Sequence, residues 1–314
     1  MHADPWLSLK DPPGTALHPA RMELHRAVQL AACAGQSLLP KRPDDSQMAL
    51  AWKAGVLLGE PLPGGSRVGL ALADLALEVR DGRGGLAGRL PLNGRTPEEA
   101  LKWVRVRLGS SGVDTRALKE EMPYEMPGRL LGREAPFYTE STAPLEALAA
   151  WYQAAAEVLA ELVLGRSDAG PLRCWPHHFD LAALLSLDRV VVPEAMADGT
   201  TGAEVVEIVD GEGNTLEGAL PEALPPEAAP ESGRTIGAGL SPGDNSYDEP
   251  YFYVTPWPYP KGRDFPKLPA GHWHTEFWTG AVLTASELAG AEDPKGKVEG
   301  FLRAAVEACE GLLA

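Results

Sequence analysis

Between residues 47 and 92 apolar residues recur at every second position, and that period points to a fold built on an antiparallel sheet. Met48, Leu50 and Trp52 alternate with small or polar neighbours, Val68, Leu70 and Leu72 repeat the pattern, and Leu75, Leu77 and Val79 continue it. Successive side chains of a strand point to opposite faces, so this alternation marks strands with one buried face. Asp81-Gly82-Arg83-Gly84-Gly85 is rich in residues that accept positive φ, and it should return the chain into a strand over Leu86 to Leu92. The expectation is a meander.

Helical periods frame it. Leu17, Leu24, Val28, Ala31 and Ala32 recur at helical spacing from Ala16 to Leu39, before Pro40 and Pro43 stop the run. Thr96-Pro97-Glu98-Glu99 has the cap, first-turn proline and early acids of a helix start, with Leu101, Val104 and Leu108 as its buried stripe. A longer helix is expected from Ser141 or Thr142 to Leu164, and a closing one from about Pro294 to Leu313. Strands are expected at 172–185, 204–209, 234–239, 250–257 and 279–283. Residues 1–15, with Pro5, Pro12, Pro13 and Gly14, read as an extended leader, and the proline- and acid-rich stretch Pro221 to Ser232 as a surface loop.

The resulting expectation is one α+β domain over 16–314, with mainly antiparallel sheets and three or four packed helices. Two strand-rich stretches, each followed by a helix, suggest loosely similar halves (16–165 and 166–314), although no residue-by-residue repeat joins them.

Composition narrows the function classes. The formal net charge of −16, from 44 Asp and Glu against 28 Lys and Arg, opposes binding to phosphate backbones or anionic lipid heads. Leu145 to Leu164 is interrupted by Glu146, Gln153, Glu157 and Glu161, which argues against a bilayer span. Met-His-Ala-Asp-Pro-Trp lacks the basic start and apolar core of a signal peptide. Cys33, Cys174 and Cys309 cannot all pair and have no C-x-x-C spacing, which suits a reducing compartment. The expectation is a cytoplasmic protein with a small-molecule ligand, bound to neither nucleic acid nor membrane.

Chemistry concentrates in two places. Arg173-Cys174-Trp175-Pro176-His177-His178-Phe179-Asp180 gathers a guanidinium, a thiol, two imidazoles and a carboxylate. If extended, it puts His178 and Asp180 on one face and His177 and Phe179 on the other. Here His177, His178, Asp180 and Cys174 are the catalytic candidates: a histidine as general base oriented by Asp180, with Cys174 as nucleophile. Around Gly271-His272-Trp273-His274, a strand would project His272 and His274 from one face about 7 Å apart, near enough for two imidazoles to share a metal. With His178, Asp180 and Glu249 they can supply a histidine and carboxylate set for zinc, iron or manganese. Arg173, Trp175, Tyr251, Tyr253 and Trp273 are the candidates for binding a cofactor or ligand. The reading adopted is an enzyme of undetermined reaction with this histidine and carboxylate metal site; the alternative is a non-catalytic module in which the same aromatics and histidines grip a small molecule, and the plainest explanation makes the imidazoles hydrogen-bonded packing groups. On the first helix, His18, His25 and Gln29 share a face and read as a partly exposed polar edge.

Cys174-Trp175-Pro176-His177-His178-Phe179-Asp180-Leu181-Ala182 resembles the F-W-x-x-F-D-L-A segment of DUF5996, an uncharacterised bacterial family. Ser241-Pro242-Gly243 followed by Glu249-Pro250-Tyr251-Phe252-Tyr253 is similar to that family's proline-glycine turn and E-P-x-F-Y strand. The layout matches from about residue 20 onward, and the chain departs from the pattern in placing His177 and His178 before Phe179. The resemblance implies no particular reaction or cofactor.

Overall fold

A computed structural model describes residues 4–9, 17–124, 135–188, 233–260, 262 and 264–314. The first described elements are a short helix α1 (Pro5–Ser8) and the long α2 (Leu17–Leu38). A meander follows: β1 (Leu50–Lys53), β2 (Val56–Gly59), β3 (Arg67–Ala71), β4 (Ala76–Arg80) and β5 (Leu86–Pro91). Helices α3 (Pro97–Ser110) and α4 (Ala143–Val163) lead into β6 (Arg173–Trp175), β7 (Asp180–Ser186), β8 (Thr235–Ser241) and β9 (Tyr251–Trp257). Strands β10 (His272–His274) and β11 (Gly280–Thr284), a short α5 (Ala285–Leu288) and α6 (Pro294–Leu313) complete it.

Among the described residues all these strands join one 11-stranded sheet in the order β10-β11-β9-β8-β7-β6-β1-β2-β3-β4-β5. Every named pair is antiparallel. The α+β expectation holds. The meander β1–β5 and the strands from β6 onward meet where Leu50 pairs with Cys174, and each set is preceded by one long helix, α2 or α4.

Strand alternation divides the two faces. On the β7–β11 side, Leu181, Leu185, Ile236, Ala238, Leu240, Phe252, Val254, Ala281 and Leu283 belong to the main apolar core. There α4 packs on β7 and β8, and α6 on β8, β9 and β11; Trp151 of α4 meets Phe252 at 6.1 Å between ring centroids. The other face therefore carries Asp180, Ala182, Gly237, Gly239, Ser241, Tyr251, Tyr253, Val282, His272 and His274.

Local signals set most element ends. Thr96 and Glu99 form a reciprocal capping box on α3, and Thr284 and Glu287 form another on α5. The leader expectation needs correction, because α1 lies inside it. Asp4 accepts a hydrogen bond from the Trp6 amide and Pro5 occupies the first turn, a helix start that counting prolines as breakers overlooks. Trp6 and Leu9 are buried in the main core, and Trp6 Nε1 donates to Glu157 on α4. The expected strand at 172–185 is two strands separated by a turn. Residues 204–209 and Pro221 to Ser232 lie outside the described residues.

Candidate functional site

The β6–β7 turn is the most constrained stretch of backbone near the chemistry. Phe179 N donates to Trp175 O at 2.7 Å, and Phe179 itself sits at φ 58°, a left-handed conformation that disfavours side chains other than glycine. Packing holds it there. The Phe179 ring stacks on His25 at 5.4 Å and lies 5.3 Å from Tyr152, whose hydroxyl donates to the Phe179 carbonyl. From α2, His25 Nε2 donates to the carbonyls of Pro176 and His177 at 3.0 and 3.1 Å, and Gln29 Nε2 donates to Pro176 O at 2.7 Å. Tyr124 in turn donates to Gln29 Oε1 at 2.6 Å. His25 and Gln29 are thus buried struts, not an exposed polar edge. Burial lowers the His25 pKa to about 4, against the opposing effect of its two carbonyl contacts.

The turn overrides the strand alternation expected for these residues. His177 and His178 do not point to opposite sides, and their rings lie 3.9 Å apart between centroids. His178 is exposed, whereas His177 is half-buried, and its Nε2 is buried with no hydrogen-bond partner among the described residues. Desolvation, reinforced by His178 and His25, holds His177 neutral with a pKa of about 3.

Asp180, the first residue of β7, is buried. Its Oδ2 accepts a hydrogen bond from the Tyr253 hydroxyl, and its Oδ1 has no partner among the described residues. Burial raises its pKa above the ordinary carboxylate range, although His178 and Tyr253 act in the opposite sense. Tyr253 belongs to β9, two strands from β7. It reaches Asp180 by lying over Gly239 of β8, where a Cβ would come within 2.8 Å of the tyrosine oxygen. The absence of a side chain at Gly239 is what lets Tyr253 and Asp180 meet.

Aromatic rings continue across this face to the sheet edge. Tyr253 lies 6.2 Å from Tyr251, and Tyr251 lies 5.0 Å from Tyr247. Tyr251 donates to Asp244 at 2.6 Å. The Tyr247 oxygen lies 2.9 Å from both His272 Nε2 and His274 Nδ1. As the H-x-H spacing implied, both histidines of β10 project from one face, and a loop tyrosine bridges them.

Several sequence-level assignments change. Cys174 is fully buried with its pKa pushed well above the usual thiol value by desolvation and then by Asp180, which removes it as a nucleophile. Arg173 is engaged by Glu60, and half-buried Trp175 pairs with Asp180 in the ladder. Trp273 packs against the core side, stacked on Phe265 at 4.8 Å and donating to Pro266 O, so it does not share a face with His272 and His274. Glu249 accepts from Ser286 N and Oγ at the start of α5. The five-residue metal set does not assemble. β10 and β7 are four strand spacings apart, roughly 19 Å, which separates His272 and His274 from His178 and Asp180. Among the described residues no three of His, Cys, Asp and Glu are gathered as metal ligands.

Sequence reasoning missed Gly239, Tyr247 and Glu287. Only Gly239 carried a readable signal, a glycine inside a strand, which marks close approach of another group. Among the described residues no helix is long and apolar enough to cross a membrane. Comparison with protein-family models, curated proteins and solved structures finds no match to this chain.

Proposed function

We propose that the chain is a small-molecule binding protein whose ligand is held at Asp180, Tyr253 and His177 without a metal. The observation that carries this reading is the pair of buried polar atoms, Asp180 Oδ1 and His177 Nε2, that have no partner among the described residues. A buried polar group left unpaired costs about 1–3 kcal/mol, and structures keep such groups where a ligand or ordered water completes them. His177 lies in a turn that α2 braces with three hydrogen bonds, and Asp180 begins the strand that follows it, so much of the ordering precedes ligand binding. A ligand carrying an N–H or O–H donor suits Asp180 Oδ1, and the acidic chain favours neutral or cationic molecules over anions.

Ligand-observed NMR with a panel of small amines, alcohols, amides and carboxylic acids tests the reading. Amines or alcohols should bind the native protein and lose binding in Asp180→Asn, with circular dichroism showing an intact fold. Equal binding to both proteins, or none to either, would sink it.

A second reading makes the site a proton-transfer catalyst. It rests on the burial of Asp180, which favours the protonated acid against the opposing pull of the Tyr253 hydroxyl and would let it act as a proton donor. Turnover of a bound panel molecule, lost in Asp180→Asn, would favour it over simple binding.

A further inference from the structure

Hydrogen-bond bookkeeping at the sheet edge leaves an excess of electron pairs. His274 Nε2 lies 2.7 Å from the Glu276 carbonyl, an oxygen that only accepts, so Nε2 carries the proton and Nδ1 presents a lone pair. His272 Nδ1 lies 3.1 Å from Glu287 Oε1, so Nδ1 donates to the carboxylate and Nε2 presents a lone pair. Both lone pairs aim at the Tyr247 oxygen, each from 2.9 Å. A phenol has one hydrogen and can satisfy one of them. Three electron-pair donors therefore converge on a place that holds a single proton.

We propose that His272 Nε2, His274 Nδ1 and the Tyr247 oxygen form a binding site for a divalent transition-metal ion, of the zinc or copper class. Donor atoms that share a metal at about 2.0–2.1 Å, at angles between square and tetrahedral, lie about 2.9–3.4 Å apart, which is the spacing found between the tyrosine oxygen and each imidazole nitrogen. The outer contacts are also those of metal-bound histidines. Each imidazole gives its remote N–H to a carboxylate or a carbonyl, which fixes the ring and its tautomer.

Glu287 is fixed in its turn. Its other oxygen accepts from the Thr284 amide in the α5 capping box, so the carboxylate that orients His272 is anchored to a helix start. Trp278 stacks on His274 at 4.3 Å and donates to Ser246 in the Tyr247 loop. The local field suits a cation. Beyond burial, the Tyr247 hydroxyl is held above its ordinary pKa by Glu287, Asp244 and Glu276, three acids whose charge a bound metal would offset. β10 is the end strand of the sheet and His272 is exposed, so an ion can reach the site from solvent. Binding takes the Tyr247 proton into solvent and leaves a phenolate, two neutral imidazoles and a fourth position for water.

This proposal does not rest on the Asp180 reading and is tested separately. Untagged protein, stripped with chelator, is titrated with Zn²⁺ and with Cu²⁺ and followed by calorimetry and elemental analysis after dialysis. About one equivalent should bind, His272→Ala and His274→Ala should each abolish it, and Tyr247→Phe should weaken it at least tenfold. The copper form should show a tyrosinate-to-copper charge-transfer band that Tyr247→Phe lacks, a readout that stands even if a histidine variant fails to fold. No stoichiometric binding, binding unchanged in His272→Ala, or a copper complex without that band would overturn the assignment.

Discussion

Replacing Gly239 by alanine tests how the Asp180 site is built. The added Cβ would lie 2.8 Å from each of three atoms: the Leu181 carbonyl oxygen, Ala182 Cβ and the Tyr253 oxygen. Ordinary contacts begin at 3.4 Å, so every one must open by more than half an ångström. The contacts with Leu181 and Ala182 can open only by a small shift of β8 within the β6–β7–β8 ladder, whereas the tyrosine ring can swing away by itself. Its displacement breaks the bond to Asp180. Overpacking costs about 1–3 kcal/mol, and stripping a buried carboxyl of its donor about 1–3 more. The sum, roughly 2–6 kcal/mol, should appear as a lower urea midpoint with an unchanged m-value. The Asp180→Asn substitution should then cost less in the Gly239→Ala background than in the native one, because their shared contact is already lost. A Gly239→Ala protein within about 0.5 kcal/mol of native, or Asp180→Asn costs equal in both backgrounds, would refute the claim that Gly239 makes room for the pair.

Other consequences follow from burial. Cys174, fully buried with a raised pKa, should resist thiol reagents in the native protein and react only on unfolding; rapid labelling in native buffer would contradict its placement. His25 has a folded pKa near 4 against 6.5 for the free side chain, so it binds fewer protons when folded. Its contribution is present above pH 6.5, declines as pH falls towards 4, and amounts to about 3 kcal/mol at most. Urea unfolding between pH 4 and 7 should show this slope, reduced in His25→Gln; an identical slope in the variant would count against it.

Where local chemistry sets a boundary, the sequence was sufficient. The closing helix runs over Pro294–Leu313 as its apolar spacing indicated, and α3 starts at the Thr96 capping box. The site was harder to read for three physical reasons. Alternation was carried through Pro176–Phe179, but the left-handed Phe179 is held by Tyr152 and His25, which are distant in sequence. Tyr253 and Asp180 are 73 residues apart, and only the strand order with the gap at Gly239 joins them. The spacing of His25 and Gln29 was legible, but their burial depends on which turn α2 meets. His272 and His274 were placed correctly on one face, yet no pattern announced that Tyr247 would lie between them.

The most direct test of the central claim is ¹³C NMR of the Asp180 side-chain carboxyl, assigned with Asp180→Asn and followed through a pH titration with and without a panel amine or alcohol. The account predicts a carboxyl that titrates above the ordinary aspartate value of about 3.9 in the free protein, as burial dictates, and whose resonance moves when ligand binds. An Asp180 that titrates as an ordinary aspartate and is indifferent to every panel molecule would contradict it.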